Sequence, residues 1–186
     1  MRPEIGRLNG WDELAEIVFD EETIGRRVTE LGREVGDYYQ SGDLLLIGLL
    51  KGCFMFLSDL ARAIPRPHEL DFLVAGSYGA DTQSSGKVCL HYEPETGVEG
   101  KHVLLVEDIV DSGRTLDRLV RLFRARDPAS LEIVTLLHKR VATQLKTEPR
   151  FVGFDAPRKF LVGYGLDFAG KYRHLPFVAS LKEQDG

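Results

Sequence analysis

Two runs, the almost wholly aliphatic Leu44 to Leu50 and the strongly apolar His102 to Val106, constrain the fold of this chain more than any other feature. Neither alternates between apolar and polar residues as a strand with one wet face does. Each therefore reads as a strand buried on both sides, the usual state in a parallel sheet covered by helices. Helical patterns fall between them. Asp20 is placed to cap a helix in which Ile24, Val28, Leu31, Val35 and Tyr38 recur at steps of three and four, the spacing of one buried face. Cys53 to Ile64 reads as a second helix, ended by Pro65 and Pro67. Leu116, Leu119, Val120 and Phe123 mark a third, with Arg118, Arg121 and Arg124 on its outer face. Further strands are expected at Glu69 to Ala75, Val88 to Tyr92, Ile133 to Leu137, Phe151 to Phe154 and Phe160 to Val162. The Gly- and Ser-rich segment Gly76 to Gly86 reads as a long loop, the kind that often serves as a lid. The alternation predicts an α/β fold with a mainly parallel central sheet flanked by helices. Ligands of such sheets gather at the carboxyl ends of the strands.

Length and charge narrow the function classes. A chain of 186 residues is expected to form one domain spanning 1–186. Its longest stretch without a charged residue, Phe72 to Ala80, is nine residues. A membrane helix requires about 20, so no membrane partner is expected. Residues Met1 to Leu14 lack the basic and apolar regions of a signal peptide. Cys53 and Cys89 have neither metal-binding nor scaffold spacing, which suits a reducing cytoplasm. The five histidines lack metal-ligand spacing and read as surface or ordinary packing. With 24 Lys and Arg against 29 Asp and Glu, the net charge of −5 argues against a nucleic-acid partner. It does not exclude a small anion.

The segment Val103 to Leu116 carries the chemistry. A buried strand leads to Glu107 and Asp108, a turn adds Asp111, and Ser112-Gly113-Arg114-Thr115 opens a helix. Free N–H groups and the positive dipole end at a helix start make a phosphate cradle. A glycine there lets the backbone approach the anion. In the plainer reading, Asp111 or Ser112 is an ordinary helix cap. Glu107-Asp108 favours a ligand, because adjacent ionised carboxylates ending a hydrophobic strand are costly unless hydroxyls, a cation or water engage them. Two other phosphate motifs fail. The position five before Gly86-Lys87 is Asp81 where a P-loop needs Gly, and Gly163-Tyr164-Gly165 is followed by Phe168 where a dinucleotide fingerprint needs Gly.

Val106-Glu107-Asp108-Ile109-Val110-Asp111-Ser112-Gly113-Arg114-Thr115 resembles the phosphoribosyl-diphosphate (PRPP) signature of purine phosphoribosyltransferases, particularly the hypoxanthine-guanine type. Leu50-Lys51-Gly52 resembles that family's pyrophosphate loop, and Ser77-Tyr78-Gly79 through Gly86 its catalytic loop. Lys139-Arg140, Phe151 to Phe154, Phe160 to Asp167 and Arg173 resemble its base-binding end. The resemblance covers roughly Asp43 to Leu181, with four motifs in the family's order. Departures are small: Gly76 stands where many members have Ser, and Ser112 and Arg114 replace the commoner Thr and Lys.

The resemblance implies the type I phosphoribosyltransferase fold, with a small hood formed by the terminal segments. It implies transfer of the 5-phosphoribosyl group from PRPP to a 6-oxopurine, giving a nucleoside monophosphate and pyrophosphate, with Mg²⁺ required. Glu107 and Asp108 would take the ribose hydroxyls, with Ile109 beside them in the signature. Asp111, Ser112, Gly113, Arg114 and Thr115 would hold the 5′-phosphate. Asp111 would also exchange a proton at N7 of the base as the catalytic residue. Lys139 would donate to O6 of the purine, which an adenine amino group would refuse. Taken alone, a lysine after a strand is usually solvated surface. Phe160 would stack on the ring, although alone it reads as core, and backbone groups at Leu161 would read the other edge. Lys51, Gly52 and Arg173 would contact pyrophosphate, and the peptide Leu50–Lys51 would be cis. Glu107, Asp108 and Asp167 are the metal candidates, and Ser77 and Tyr78 would close as a lid.

Gly165 stands where relatives carry bulkier residues, and hypoxanthine, guanine and xanthine all remain open as bases. The family is usually dimeric or tetrameric. A PRPP-sensing regulator of the same fold is the alternative, but it should lack Asp111, Lys139 or the lid residues. The acidic balance then acquires a meaning: carboxylates converging on a polyanion require positive field from backbone N–H groups, Lys51, Lys139, Arg173 and a metal ion.

Overall fold

A computed structural model describes residues 13–77, 88–111, 113–140 and 146–182. Their order is β1 (Leu14–Phe19), α1 (Glu21–Tyr38), β2 (Leu44–Leu50), α2 (Phe54–Ala63), β3 (Glu69–Ser77), β4 (Val88–Tyr92), β5 (His102–Val110), α3 (Arg114–Arg124), β6 (Ser130–His138), β7 (Phe151–Asp155), β8 (Leu161–Val162) and β9 (Val178–Leu181). The expected α/β architecture is present. A six-stranded sheet in the order β4-β3-β2-β5-β6-β7 is parallel except for β4, which runs antiparallel at one edge.

The aliphatic runs form this sheet because side chains on a strand alternate between faces, and both faces are covered. Along β2, Leu44 and Leu46 join β5 residues Leu104 and Val106 beneath α1 and α2. Leu45, Ile47 and Leu49 join Val103 and Leu105 beneath α3. Each large aliphatic side chain fully buried in this way contributes about 1.5–3 kcal/mol. The expected faces of the three helices are the buried ones except at the end of α1, where Tyr38 is 43 % exposed and Tyr39 is buried in its place. Ile24, Val28, Leu31 and Val35 pack from α1, Phe56, Leu57 and Leu60 from α2, and Leu116, Leu119, Val120 and Phe123 from α3. Asp20 caps α1, its Oδ1 accepting from the Thr23 N–H at 2.8 Å.

The second sheet, antiparallel in the order β1-β9-β8, draws on both ends of the chain. It has its own core of Leu14, Val162, Tyr172, Leu175, Phe177 and Ala179. This is the hood. No helix among the described residues is long and apolar enough to cross a membrane.

Several boundaries differ from expectation. β5 does not stop at Val106 but runs to Val110, pairing Glu107 with Thr135, Ile109 with Leu137 and Val110 with His138 of β6. The ladder thus carries both carboxylates. β3 extends to Ser77, and β8 starts at Leu161, leaving Phe160 outside it. β1 and β9 were not expected as strands.

Candidate active site

The site forms where β5 and β6 end. Glu107 is partly buried, and its Oε2 is shut off from water without a hydrogen-bond partner. Burial, then the charge of Asp108, then a hydrogen bond with Asp108 push the Glu107 carboxyl well above the usual carboxylate range. Asp108 is buried, and its Oδ1 accepts from the Ile109 N–H at 2.9 Å. Burial raises its pKa too, while that N–H, Glu107 and the charge of Arg173 oppose the rise. An unpartnered buried carboxylate oxygen is an acceptor waiting for a donor or a cation.

After β5 the chain turns through Asp111 into α3. The helix cap is neither Asp111 nor Ser112 but Gly113, at φ +65° and ψ 1°, and no side chain caps the helix. Its first N–H groups are therefore not closed off from within, as an ordinary capped helix would require. Glu107, Ile109, Val110, Asp111, Gly113, Thr115 and Leu116 line a cleft of about 160 Å³ at this point. Thr115 is exposed in the first turn.

Lys139 follows β6 directly. Its N–H donates to the Val110 carbonyl at 2.9 Å, tying it to the end of β5. Its side chain is only 16 % exposed, and Nζ lies 3.6 Å from Asp111 Oδ2. It is not a solvated surface lysine.

On the other side of Asp108 lies the segment after β2. The Leu50–Lys51 peptide is cis. At Gly52, a Cβ would fall 1.7 Å from Asp108 Oδ2, so the carboxylate occupies the space of a side chain. Gly165, at φ +101°, would place a Cβ 2.0 Å from the Gly52 carbonyl oxygen. Arg173 completes the group: Nη1 donates to the Gly165 carbonyl at 2.6 Å, and Nη2 pairs with Asp167 Oδ1 at 2.6 Å.

Asp167 uses its other oxygen to accept from the Gly170 N–H at 2.8 Å. Both its oxygens are engaged within the protein. Among the described residues no three His, Cys, Asp or Glu side chains gather as a metal cage, so Glu107, Asp108 and Asp167 do not form one. One or two carboxylates remain, and that donor set fits Mg²⁺, which is usually completed by water and substrate phosphates.

Phe160 is 55 % exposed, which excludes a core role, and meets Phe168 edge-on at 5.5 Å between ring centroids. Leu161 beside it is buried. Ser77 is the last residue of β3. Tyr78, the remainder of the expected lid to Gly86, and Ser112 lie outside the described residues, and of Arg114 only its place at the start of α3 is described.

Sequence reasoning missed two participants. Tyr164, at φ +49°, donates its hydroxyl to Asp59 Oδ2 of α2. Gly165 meets the Gly52 backbone, a use different from the base selection its position suggested. The flanking glycines of Gly163-Tyr164-Gly165 were the available signal for a left-handed turn; what the turn rests on was not written there.

A parallel sheet with two carboxylates near the end of β5, a left-handed glycine opening the next helix and a lysine just after β6 make a site suited to a phosphorylated sugar. Residues 15–169 match the family model described as a phosphoribosyl transferase domain. The chain belongs to the phosphoribosyltransferase family. Within that family it is 46 % identical over 173 residues to the hypoxanthine-guanine phosphoribosyltransferase of Dictyostelium discoideum, covering 91 % of this chain and 96 % of that protein. The Bacillus subtilis protein of the same name is 45 % identical over 170 residues, covering 91 % and 94 %. The crystal structure of a hypoxanthine phosphoribosyltransferase from Staphylococcus aureus superimposes with a TM-score of 0.88 at 37 % identity, covering 98 % of this chain and 97 % of that one.

Proposed function

We propose that this protein is a purine-salvage enzyme of the cytoplasm that transfers the 5-phosphoribosyl group of PRPP to hypoxanthine or guanine. The products are a nucleoside 5′-monophosphate and pyrophosphate. The observation that carries this reading is the junction of Asp111, Lys139 and the uncapped start of α3 at the ends of β5 and β6. It supplies, at neighbouring strand ends, a proton acceptor, a cationic donor and an anion cradle.

In the reaction, N9 of the purine bonds to C1′ as the C1′–O bond to pyrophosphate breaks. Positive charge develops on the ribose, and the leaving group departs with the bonding pair. The residues divide this work. Glu107 and Asp108 accept hydrogen bonds from the ribose hydroxyls, which gives the unpartnered Glu107 Oε2 a partner. Asp111 to Thr115 take the 5′-phosphate, and Asp111 receives the proton released from the base at N7. Lys139 donates to O6, and Phe160, with its exposed face, stacks on the ring. Lys51, Gly52 and Arg173 face the pyrophosphate. Ser77 and Tyr78 close over the site and keep water from the cationic centre. Glu107, Asp108 or Asp167 would hold Mg²⁺ together with substrate oxygens, and the ion would supply positive charge against the departing pyrophosphate. The protein acts as a homodimer or homotetramer.

The test is pyrophosphate release from PRPP, Mg²⁺ and each of hypoxanthine, guanine, xanthine and adenine. The 6-oxopurines should turn over, and adenine should be slower in kcat/KM by roughly 10⁴-fold, since the Lys139 donor would meet another donor. No release with either hypoxanthine or guanine would overturn the reading.

A further inference from the structure

Phe160 directly precedes β8, and its carbonyl accepts from the Leu181 N–H of β9 at 3.0 Å, which ties its backbone to the second sheet. Its side chain stands out from that sheet, and the residue is 55 % exposed. A phenylalanine so exposed has several staggered χ1 wells open to it, and ordering it against a ligand costs affinity. The Phe168 ring meets it edge-on, with centroids 5.5 Å apart and the planes at 80°. An edge-to-face contact of either sense leaves one face of Phe160 open. Phe168 is itself built into a tight turn. Its N–H donates to the Lys171 carbonyl at 3.2 Å, and its carbonyl accepts from the Lys171 N–H at 3.0 Å. Ala169 and Gly170 complete the turn in left-handed backbone, at φ +50° and +80°. Asp167 Oδ2 takes the Gly170 N–H at 2.8 Å, and the Phe168 side chain packs on the hood core that contains Val162 and Leu175.

From this pair we infer that Phe168 is a positioning residue for the purine base, acting through Phe160: its ring holds that of Phe160 in one orientation with a face open to the base. The inference rests on the proposed stacking of the base on Phe160. The physical step is preorganisation. Stacking needs the Phe160 ring parallel to the purine, and a ring already steadied by an edge contact is not ordered at the expense of binding. The contact depends on the charge distribution of two aromatic rings, positive at the edge and negative on the face. A leucine at 168 fills much of the same space and loses it. The turn keeps its shape in that variant, because its hydrogen bonds come from backbone groups and from Asp167, whose pairing with Arg173 is likewise untouched. PRPP is bound by groups on β5, α3 and the Lys51–Gly52 segment, so the loss falls on the base.

The experiment is a double-mutant cycle read by calorimetry with two probes: inosine 5′-monophosphate, which carries the base, and PRPP with Mg²⁺, which does not. Phe160→Ala should weaken binding of the monophosphate by about 5- to 100-fold, the usual worth of a base stacked on an aromatic ring. Phe168→Leu should weaken it by about 3- to 10-fold, with PRPP affinity within about twofold of wild type. Phe168→Tyr, which keeps the ring, should bind both probes as wild type does. In a Phe160→Ala background, Phe168→Leu should have no further effect on the monophosphate, because the residue it acts through is gone. A merely structural role for Phe168 would lower Tm and, where it reached the site, act in both backgrounds and on both probes. If Phe168→Leu does not fold, Phe168→Met takes its place in the cycle. Monophosphate affinity unchanged by the substitution at 168, lost equally in both backgrounds, or lost together with PRPP affinity would overturn the inference. Monophosphate affinity unchanged in Phe160→Ala contradicts the stacking reading and this inference with it. Wild-type protein that binds both probes yet releases no product contradicts the proposed transfer alone.

Discussion

Two helices of this protein begin in opposite ways. α1 is closed by its own sequence: Asp20 accepts from the Thr23 N–H, Glu21 and Glu22 face the positive end of the dipole, and the Asp20 carbonyl receives the Ile24 N–H at 3.0 Å. α3 begins at a left-handed glycine with no side-chain cap, beside carboxylates that burial holds above their ordinary range. A fold that can cap one helix at 2.8 Å and leaves another open is not short of suitable residues. The open end lines a cleft with Glu107 and Asp111, whereas Phe19 beside the closed end packs on Phe154 near the carboxyl end of β7. Unfinished polar chemistry in a finished fold marks where another molecule completes it.

Substitutions at the two ends should therefore separate function from stability. Asp111→Asn, at the open end, keeps size and loses the proton acceptor. It should lower kcat by about 10²- to 10⁴-fold while PRPP affinity changes little, read by steady-state kinetics beside calorimetry. Gly113→Ala forces a side chain into a left-handed position, costing about 1–2 kcal/mol, and sets a methyl group where the phosphate approaches. KM for PRPP should rise about tenfold.

Glu107→Gln should act in opposite directions on stability and function. The Glu107 carboxyl is raised in the folded protein, so folding favours its protonated form. The stability this gives is complete below the ordinary carboxylate range and is lost as pH rises through the raised value. At about pH 9 the glutamine variant, free of a buried charge, should melt about 2–4 °C above wild type. At about pH 4 the gain should vanish, and PRPP affinity should be reduced throughout. Asp20→Ala, at the closed end, should lower Tm by about 2–4 °C for the loss of roughly 1 kcal/mol of capping. Its kinetics should match wild type. A kinetic defect in Asp20→Ala, or none in Gly113→Ala, would erase the contrast.

The closed end was readable from the sequence, because a cap, an acidic first turn and a helical repeat are local features. So were β2 and the three helices, whose apolar spacing states which face is buried. β1 and β9 escaped because they are short and bulged, with register shifts at Leu14/Glu16 and Ile17/Phe19, and because β1 shows an irregular burial pattern. The carboxylates of Glu107 and Asp108 looked like a strand end because charge usually ends a buried strand; here pairing with β6 carries the ladder past them. At the open end the motif placed Asp111 and Lys139 in one site from residues 28 positions apart, and the structure puts them 3.6 Å apart. Asp167 was readable as an acid but not as a partner of Arg173, and Gly165 not as a neighbour of Gly52. The first contact closes a loop of irregular backbone between β8 and β9, and the second joins segments far apart in the sequence, so no helical or strand repeat encodes either.

The central claim is that the start of α3 is left open for the phosphate of PRPP. Amide hydrogen exchange with and without saturating PRPP and Mg²⁺ tests it most directly, because both helix starts are followed in one sample. The account predicts slowed exchange at residues 113–117, with the amides of residues 21–24 in α1 unchanged. Equal behaviour of the two helix starts would contradict it.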